Sequence, residues 1–264
     1  MSTYGIIGYP LTYTQSPAMH NAVFRALGMV HRYHAYPVRS AQEAVALIRD
    51  KSLSGVSITI PHKETIMPLL DQLDEDAQRI GAVNTVVREG QRLIGHNTDW
   101  LGAVRALEEV VSLSKKTVLV MGAGGSARAV AYGIGRQDAR LWVANRDEEK
   151  GKALAQAFGG LFLSVHERTM PALDAVVNAT PVFPPLLRTL LKPGMVMMDL
   201  AYGPHKTELL KEAEETGCKV VDGRRMLLFQ GVEQFHLWTG KEPPLAAMEN
   251  ALYDATNRAG KRTG

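Results

Sequence analysis

The run Thr117-Val118-Leu119-Val120-Met121 leads straight into Gly122-Ala123-Gly124-Gly125-Ser126-Ala127. No other segment restricts the fold as strongly. Apolar and β-branched residues bounded by glycine read as a buried strand, and the small residues after them as a tight turn opening a helix. The spacing G-x-G-x-x-A has a reason at each position. Gly122 makes the turn, Gly124 lets a pyrophosphate approach the backbone, and Ala127 lets helix and strand pack closely. The helix N-terminus then presents N–H groups and a partial positive charge to phosphates. The plain alternative is a tight turn with no ligand, but strand and helix lie on the correct sides, which favours nucleotide binding.

About twenty residues beyond the first glycine, a fold of this kind that prefers NAD places an acidic residue for the ribose hydroxyls. Asn145-Arg146 stands there instead. An arginine can clamp a 2′-phosphate and stack on adenine, and Lys150 adds a second cation, so NADP is the expected cofactor. Asp147-Glu148-Glu149 bring negative charge close by, which leaves open that Asp147 serves the ribose of NAD.

The remaining pattern alternates strands and helices, the signature of an α/β chain with a largely parallel sheet. Strands are expected over residues 4–8, 33–38, 56–60, 85–88 and 92–95, those at 33–38 and 56–60 buried, with a hairpin at Glu89-Gly90-Gln91. Ser16-Pro17 reads as N-cap and N1 of a helix ending at Gly28. A second unit carries strands at 117–121, 141–144, 161–163, 175–178, 196–200 and 219–222. Helices at 226–238 and 245–257 are expected to return to the first unit, with 260–264 as a polar tail. The expected domains are therefore residues 1–100 plus about 238–264, and 101–237.

A chain of 264 residues, 45% apolar, can bury a sizeable core, and a net charge of +3 is too mild and scattered for nucleic acid. One cysteine excludes an internal disulfide, and eight scattered histidines lack metal-ligand spacing. No signal-peptide pattern or apolar run of ~18 residues is present, so no membrane association and a cytoplasmic location are expected. Oligomeric state stays open, a homodimer included.

Four polar patches recur near expected strand ends: Thr14-Gln15-Ser16-Pro17, Thr59-Ile60-Pro61-His62-Lys63, Gly81-Ala82-Val83-Asn84-Thr85 and His96-Asn97-Thr98-Asp99. Together they offer hydroxyls, an amide, an amine and a carboxylate, a set suited to a polyol acid. Each alone has a plain reading. Ser16, Thr98 or Asp99 could cap helices, Asn84 could satisfy a turn, and Lys63 could be solvated.

Taken with the glycine loop, these patches resemble the shikimate dehydrogenase family over essentially the whole chain. The likeness extends to Asn178-Ala179-Thr180, Asp199-x-x-Tyr202 and Met226-Leu227-x-x-Gln230-Gly231. It implies two α/β domains, an N-terminal substrate domain and a Rossmann-type dinucleotide-binding domain. It also implies reversible NADPH-linked reduction of 3-dehydroshikimate to shikimate on the route to chorismate and aromatic amino acids. By the same resemblance, Thr14 and Ser16 hold the substrate carboxylate, Thr59, Asn84 and Gln230 bind ring hydroxyls, and Tyr202 closes the pocket. Lys63 and Asp99 match the catalytic pair. Gly122, Ala123, Gly124, Gly125, Ser126, Asn145, Arg146, Asp147 and Lys150 match cofactor contacts, Leu200 an apolar nicotinamide neighbour, and Glu75 a further cofactor position. The chain departs from the family at Trp100, where a small residue is usual, at Asp147 for a threonine, at Arg224-Arg225, and at a shortened Pro181-Val182-Phe183-Pro184.

Ketone reduction needs hydride at carbon and a proton at the developing alkoxide. A lysine near its ordinary pKa of ~10.4 is a poor base at neutral pH but a good cationic donor, and a neighbouring carboxylate strengthens that state. Lys63 is therefore expected to stabilise and protonate the oxygen, with Asp99 orienting it. The competing readings are a quinate/shikimate dehydrogenase accepting NAD and a non-catalytic ligand sensor on the same fold.

Overall fold

The computed structural model describes residues 1–11, 13–166, 171–182, 185–203 and 205–260, side chains of 185, 186 and 255–260 excepted. Phe183, Pro184 and the expected tail beyond residue 260 lie outside the described residues. The chain divides into two compact units, Met1–Thr98 with Gln230–Gly264, and Asp99–Phe229.

The first unit is built on β1 (Thr3–Gly8), β2 (Arg32–Pro37), β3 (Gly55–Ile58), β4 (Gln72–Leu73), β5 (Thr85–Glu89) and β6 (Arg92–His96). They form one sheet in the order β2-β1-β3-β5-β6-β4. Neighbours are parallel except across β3–β5 and β5–β6. Its helices are α1 (Ser16–Ala26), α2 (Ala41–Asp50), α3 (His62–Thr65) and α4 (Glu75–Ile80). α2 starts where Ser40 accepts from the Glu43 N–H, and α4 where Asp74 accepts from Ala77, so each side chain satisfies an N–H that has no intrahelical partner. Ala41, Ala44 and Ile48 of α2 then meet Val56, Ile58 and Val86 in one core.

Three expectations are corrected here. β2 is an edge strand in which only Tyr33 is buried, because no strand covers its outer side. Ser16 is not a cap: Gln15 takes that position without a side-chain bond, and Ser16 and Pro17 are the first helical residues. The strand expected to reach residue 60 stops at Ile58, since Pro61 has no N–H to extend a ladder.

The second unit opens with α5 (Asp99–Glu108) and continues as β7 (Thr117–Met121), α6 (Gly125–Gly135), β8 (Arg140–Ala144), α7 (Glu148–Ala157), β9 (Leu161–Phe162), β10 (Ala175–Asn178), α8 (Pro185–Leu190), β11 (Val196–Asp199), α9 (Glu208–Glu215) and β12 (Lys219–Asp222). All six strands are parallel, ordered β12-β11-β10-β7-β8-β9. Read from β9, that is third-second-first-fourth-fifth-sixth, the doubly wound dinucleotide arrangement. Val118 and Val120 of β7 enter one core, Leu119 and Met121 the other, which is why the strand is continuously apolar.

The departures from the family pattern find ordinary partners. Trp100 packs edge-on against Tyr132 at 5.6 Å, with the Arg136 guanidinium 5.3 Å from its ring. Gly133 makes room: a Cβ there would lie 3.1 Å from the Trp100 carbonyl oxygen. Arg224 forks onto Asp222, and Arg225 pairs with Glu109. Both arginines belong to α10 (Gly223–Thr239), which therefore begins three residues before Met226 and is followed by α11 (Leu245–Gly260). The division between units falls within α10, between Phe229 and Gln230. Among the described residues no helix is long and apolar enough to cross a membrane.

Against the sheet of the first unit, α1 and the end of α10 bury an aromatic cluster of Tyr4, Phe24, Tyr33, Phe235 and Trp238. His20 lies inside it, 0% exposed and stacked on Tyr33 at 4.6 Å. Neither ring nitrogen has a hydrogen-bond partner among the described residues. Burial lowers its pKa from the ordinary 6.5 to about 3, opposed only in part by the Gln234 amide nearby. The folded-state value lies below the unfolded one, so the stability it confers is complete above pH 6.5 and is lost as pH falls toward 3. Between pH 7 and 4.5 the wild type should lose about 2–3 kcal/mol more stability than His20→Leu, read from denaturant midpoints. Equal slopes would show that His20 takes up its proton as readily in the folded protein as in the unfolded one.

Candidate functional site

In the first unit, the polar residues gather around Asn84, which is 2% exposed. Its Oδ1 accepts from the Thr98 N–H at 2.7 Å and from Thr85 Oγ1 at 2.7 Å. A backbone N–H can only donate, so this contact fixes which way the amide faces. Nδ2 therefore points at Thr98 Oγ1 (3.0 Å) and at Gln230 Oε1 (3.3 Å). Asn97 holds the neighbouring loop by donating to the Ala82 carbonyl at 2.8 Å. Asn84 is thus no turn device, and Thr98 is committed to it.

The other residues expected at a substrate site lie on loops and helix starts, all but Asp99 and Tyr202 in the same unit. Thr14 Oγ1 is buried with no partner among the described residues, and Ser16 is 2% exposed at the start of α1. Ser16 does not cap the helix, so its hydroxyl is not spent on the first-turn N–H groups. Thr59 follows β3 and is tied to β1 by its N–H to Ile7 at 2.9 Å. Lys63 sits on α3, and its carbonyl accepts from Val83 at 2.8 Å, which ties the lysine turn to the loop carrying Asn84. Asp99, 5% exposed, is the first residue of α5 and of the second unit, to which Tyr202 also belongs. Glu75 is exposed on α4 and pairs with Arg79 at 2.5 Å.

Three residues of the polar cluster were not singled out from sequence: Tyr33, Ser57 and Gln234. Gln234 Nε2 donates to the Asn84 carbonyl (3.1 Å) and Thr85 Oγ1 (2.9 Å), and its Oε1 accepts from Ser57 (2.7 Å). Tyr33 Oη lies 2.6 Å from Ser57 Oγ. Two signals were available. Gln234 is one helical turn beyond Gln230, and Ser57 stands two residues before Thr59, the spacing of one strand face in the strand expected to reach residue 60.

In the second unit, the glycine loop lies where the strand order reverses, between β7 and β10. The Gly122 N–H bonds to Ala144 at 2.9 Å, and its φ of +114° is one that side chains resist. A Cβ there would also meet the Ala179 carbonyl oxygen at 3.3 Å. Gly124 occupies the N-cap of α6 with no side-chain bond, and nothing lies within 4 Å of where its Cβ would be. An uncapped helix start with open space over a glycine fits a dinucleotide pyrophosphate. Ala123, Gly125 and Ser126 complete this turn.

Beyond β8, Arg146 is exposed, and Asn145 donates to the Asp147 carbonyl at 2.8 Å. Asp147 caps α7, accepting from the Lys150 N–H at 3.1 Å and lying 3.4 Å from its ammonium. That backbone bond, with Lys150 beside it, holds the carboxyl below its ordinary pKa. Leu200 donates its N–H to Asn178 at 2.9 Å and packs on the core. Asp199 before it is 2% exposed and accepts from Asn178, Ala201 and Thr207. Burial still raises its pKa above the ordinary range.

Residues 6–86 match the shikimate dehydrogenase substrate binding domain, residues 105–202 the shikimate/quinate 5-dehydrogenase family, and residues 223–253 the shikimate 5′-dehydrogenase C-terminal domain. A shikimate dehydrogenase (NADP(+)) of Thermococcus kodakarensis is 43% identical, covering 95% of this chain and 96% of its own. The solved structure of shikimate 5-dehydrogenase from Thermus thermophilus, in complex with NADP(H) and shikimate, superposes with a TM-score of 0.89 at 36% identity, covering 97% and 100% of the two chains. A quinate dehydrogenase from Corynebacterium glutamicum in complex with NAD reaches 0.85 at 32% identity, covering 96% and 99%. With its doubly wound unit, its glycine cradle and likeness along its full length, the chain belongs to the shikimate dehydrogenase family.

Proposed function

We propose that the protein reduces 3-dehydroshikimate to shikimate with NADPH, reversibly, the first unit binding the substrate and the second the cofactor. One observation carries the substrate side. Asn84 Nδ2, a donor, faces Gln230 Oε1, an acceptor, at 3.3 Å. A hydroxyl group can accept from one and donate to the other, so the pair suits a ring alcohol. Thr14, Ser16 and Thr59 supply further hydroxyls, the first two for the carboxylate, and Tyr202 is a further substrate residue by the family resemblance. Such a substrate and a single buried cysteine, Cys218, suit the cytoplasm.

Bound NADPH supplies the hydride. The N–H groups of Gly124, Gly125 and Ser126, with Ala123 and Gly122 in the turn, would hold its pyrophosphate. Arg146 and Lys150 would hold the 2′-phosphate, with Asn145 beside them, Leu200 lining the nicotinamide side and Glu75 a further contact. Asp147 is engaged as a helix cap rather than directed at a ribose, which supports NADP over NAD. Arg146→Ala should raise KM for NADP about 10- to 100-fold and change KM for NAD less than twofold, since it loses a charge-assisted contact to the phosphate alone. Equal effects on both cofactors would remove Arg146 from the phosphate site.

In this reading Lys63 holds its ammonium against the substrate oxygen, stabilises the developing alkoxide and gives it a proton, while Asp99 orients the lysine and binds the same hydroxyl. Lys63→Ala should lower kcat about 10²–10⁴-fold with KM for shikimate nearly unchanged. Unchanged turnover in the variant would take Lys63 out of the chemistry.

A further inference from the structure

The polarity of the buried cluster can be read atom by atom. The Asn84 carbonyl oxygen can only accept, so the Gln234 group that meets it at 3.1 Å is the NH2. The Gln234 oxygen then faces Ser57, which must donate its hydroxyl proton across 2.7 Å. With that proton committed, Ser57 accepts from the Tyr33 hydroxyl at 2.6 Å. At the far end, Thr85 Oγ1 accepts from Gln234 at 2.9 Å and gives its proton to Asn84 Oδ1 at 2.7 Å, an oxygen that can only accept. Every link runs one way, Tyr33 to Ser57 to Gln234 to Thr85 to Asn84. All five residues are at most 5% exposed, Gln234 and Thr85 fully buried, so water does not compete for the links.

We propose that Tyr33, Ser57 and Gln234 are positioning residues, whose one-way hydrogen-bond chain keeps the oxygen of Asn84 turned inward and its NH2 turned toward Gln230, where a substrate hydroxyl docks. This rests on the substrate reading given above for Asn84 and Gln230. Asn84 alone could swap its two amide ends with little change of shape; the swap would set two oxygens against each other at Gln230 and repel a hydroxyl oxygen. The Thr98 N–H and the Thr85 hydroxyl both oppose it. Gln234 takes one of the two acceptor sites on Thr85 Oγ1, which biases the Thr85 proton toward Asn84 Oδ1, and Gln234 is in turn held by Ser57. Tyr33 is anchored from outside the chain by its stack on His20 and by Asn21, which bonds its backbone N–H and carbonyl at 2.9 and 2.8 Å.

The test is steady-state kinetics with shikimate and NADP on Tyr33→Phe, Ser57→Ala, Asn84→Ala and the double variant Ser57→Ala/Asn84→Ala, with a melting curve for each. Tyr33→Phe keeps the ring stack and loses one atom, so it serves if Ser57→Ala folds poorly. The expected result is a rise in KM for shikimate of about three- to tenfold in Tyr33→Phe and Ser57→Ala, the scale of one hydrogen bond. KM for NADP should stay put and kcat should move less than twofold. In the Asn84→Ala background, Ser57→Ala should add nothing to KM. A raised KM in Asn84→Ala with wild-type KM in both chain variants overturns the chain while leaving the substrate reading intact. So does a Ser57→Ala effect that persists undiminished without Asn84. Wild-type KM in Asn84→Ala itself overturns the substrate reading, and the proposal with it.

Discussion

The first unit depends on one primary amide having one orientation. Asn84 is where the β3–β5–β6 region, the Asn97-Thr98 turn and α10 meet, and its two ends carry opposite hydrogen-bonding character. A buried amide left half satisfied costs about 1–3 kcal/mol, so this side chain either has all its partners or destabilises its surroundings. The structure satisfies it with backbone groups where direction must be certain and with hydroxyls where the direction can be inherited. That division explains why this polar cluster is packed around residues such as Thr85 and Gln234, both 0% exposed.

The second unit solves its recognition problem by other means. Its glycine loop offers backbone rather than side chains, and the turn is held by β-sheet neighbours: Gly122 by Ala144, and Ala179 by Met121. The neighbouring loop after β11 is organised by the buried Asp199 carboxylate, which gathers Asn178, Ala201 and Thr207. Three hydrogen bonds offset its desolvation only in part, and its proton affinity rises accordingly. Leu200 inherits its position from this carboxylate.

Most of the architecture was legible in the sequence because its signals are local. The strand 117–121 with its glycine turn and the strands 175–178 and 219–222 were read to the residue. The polar patches carrying Thr14, Ser16 and Asn84 stood out in the sequence as well, whereas Gln230 entered only through the family resemblance. What escaped was non-local. Whether β2 is central or at an edge depends on strand order, which periodicity does not carry. Asp147 reads in the sequence as a candidate ribose ligand, and its role as the cap of α7 emerges only from the geometry. Tyr33, Ser57 and Gln234 resemble ordinary strand and helix residues until they are brought together from positions 201 residues apart in the chain (234 − 33).

The 5.1 Å separation between the rings of His20 and Trp238 has an optical consequence. An imidazolium quenches indole emission by accepting an electron from the excited ring, whereas neutral imidazole does so far less. The three tryptophans are divided between the units, with Trp238 in one and Trp100 and Trp142 in the other. The first unit thereby carries its own luminescent reporter, dimming when acid reaches its interior, while the two remaining indoles report separately on the nucleotide-binding half.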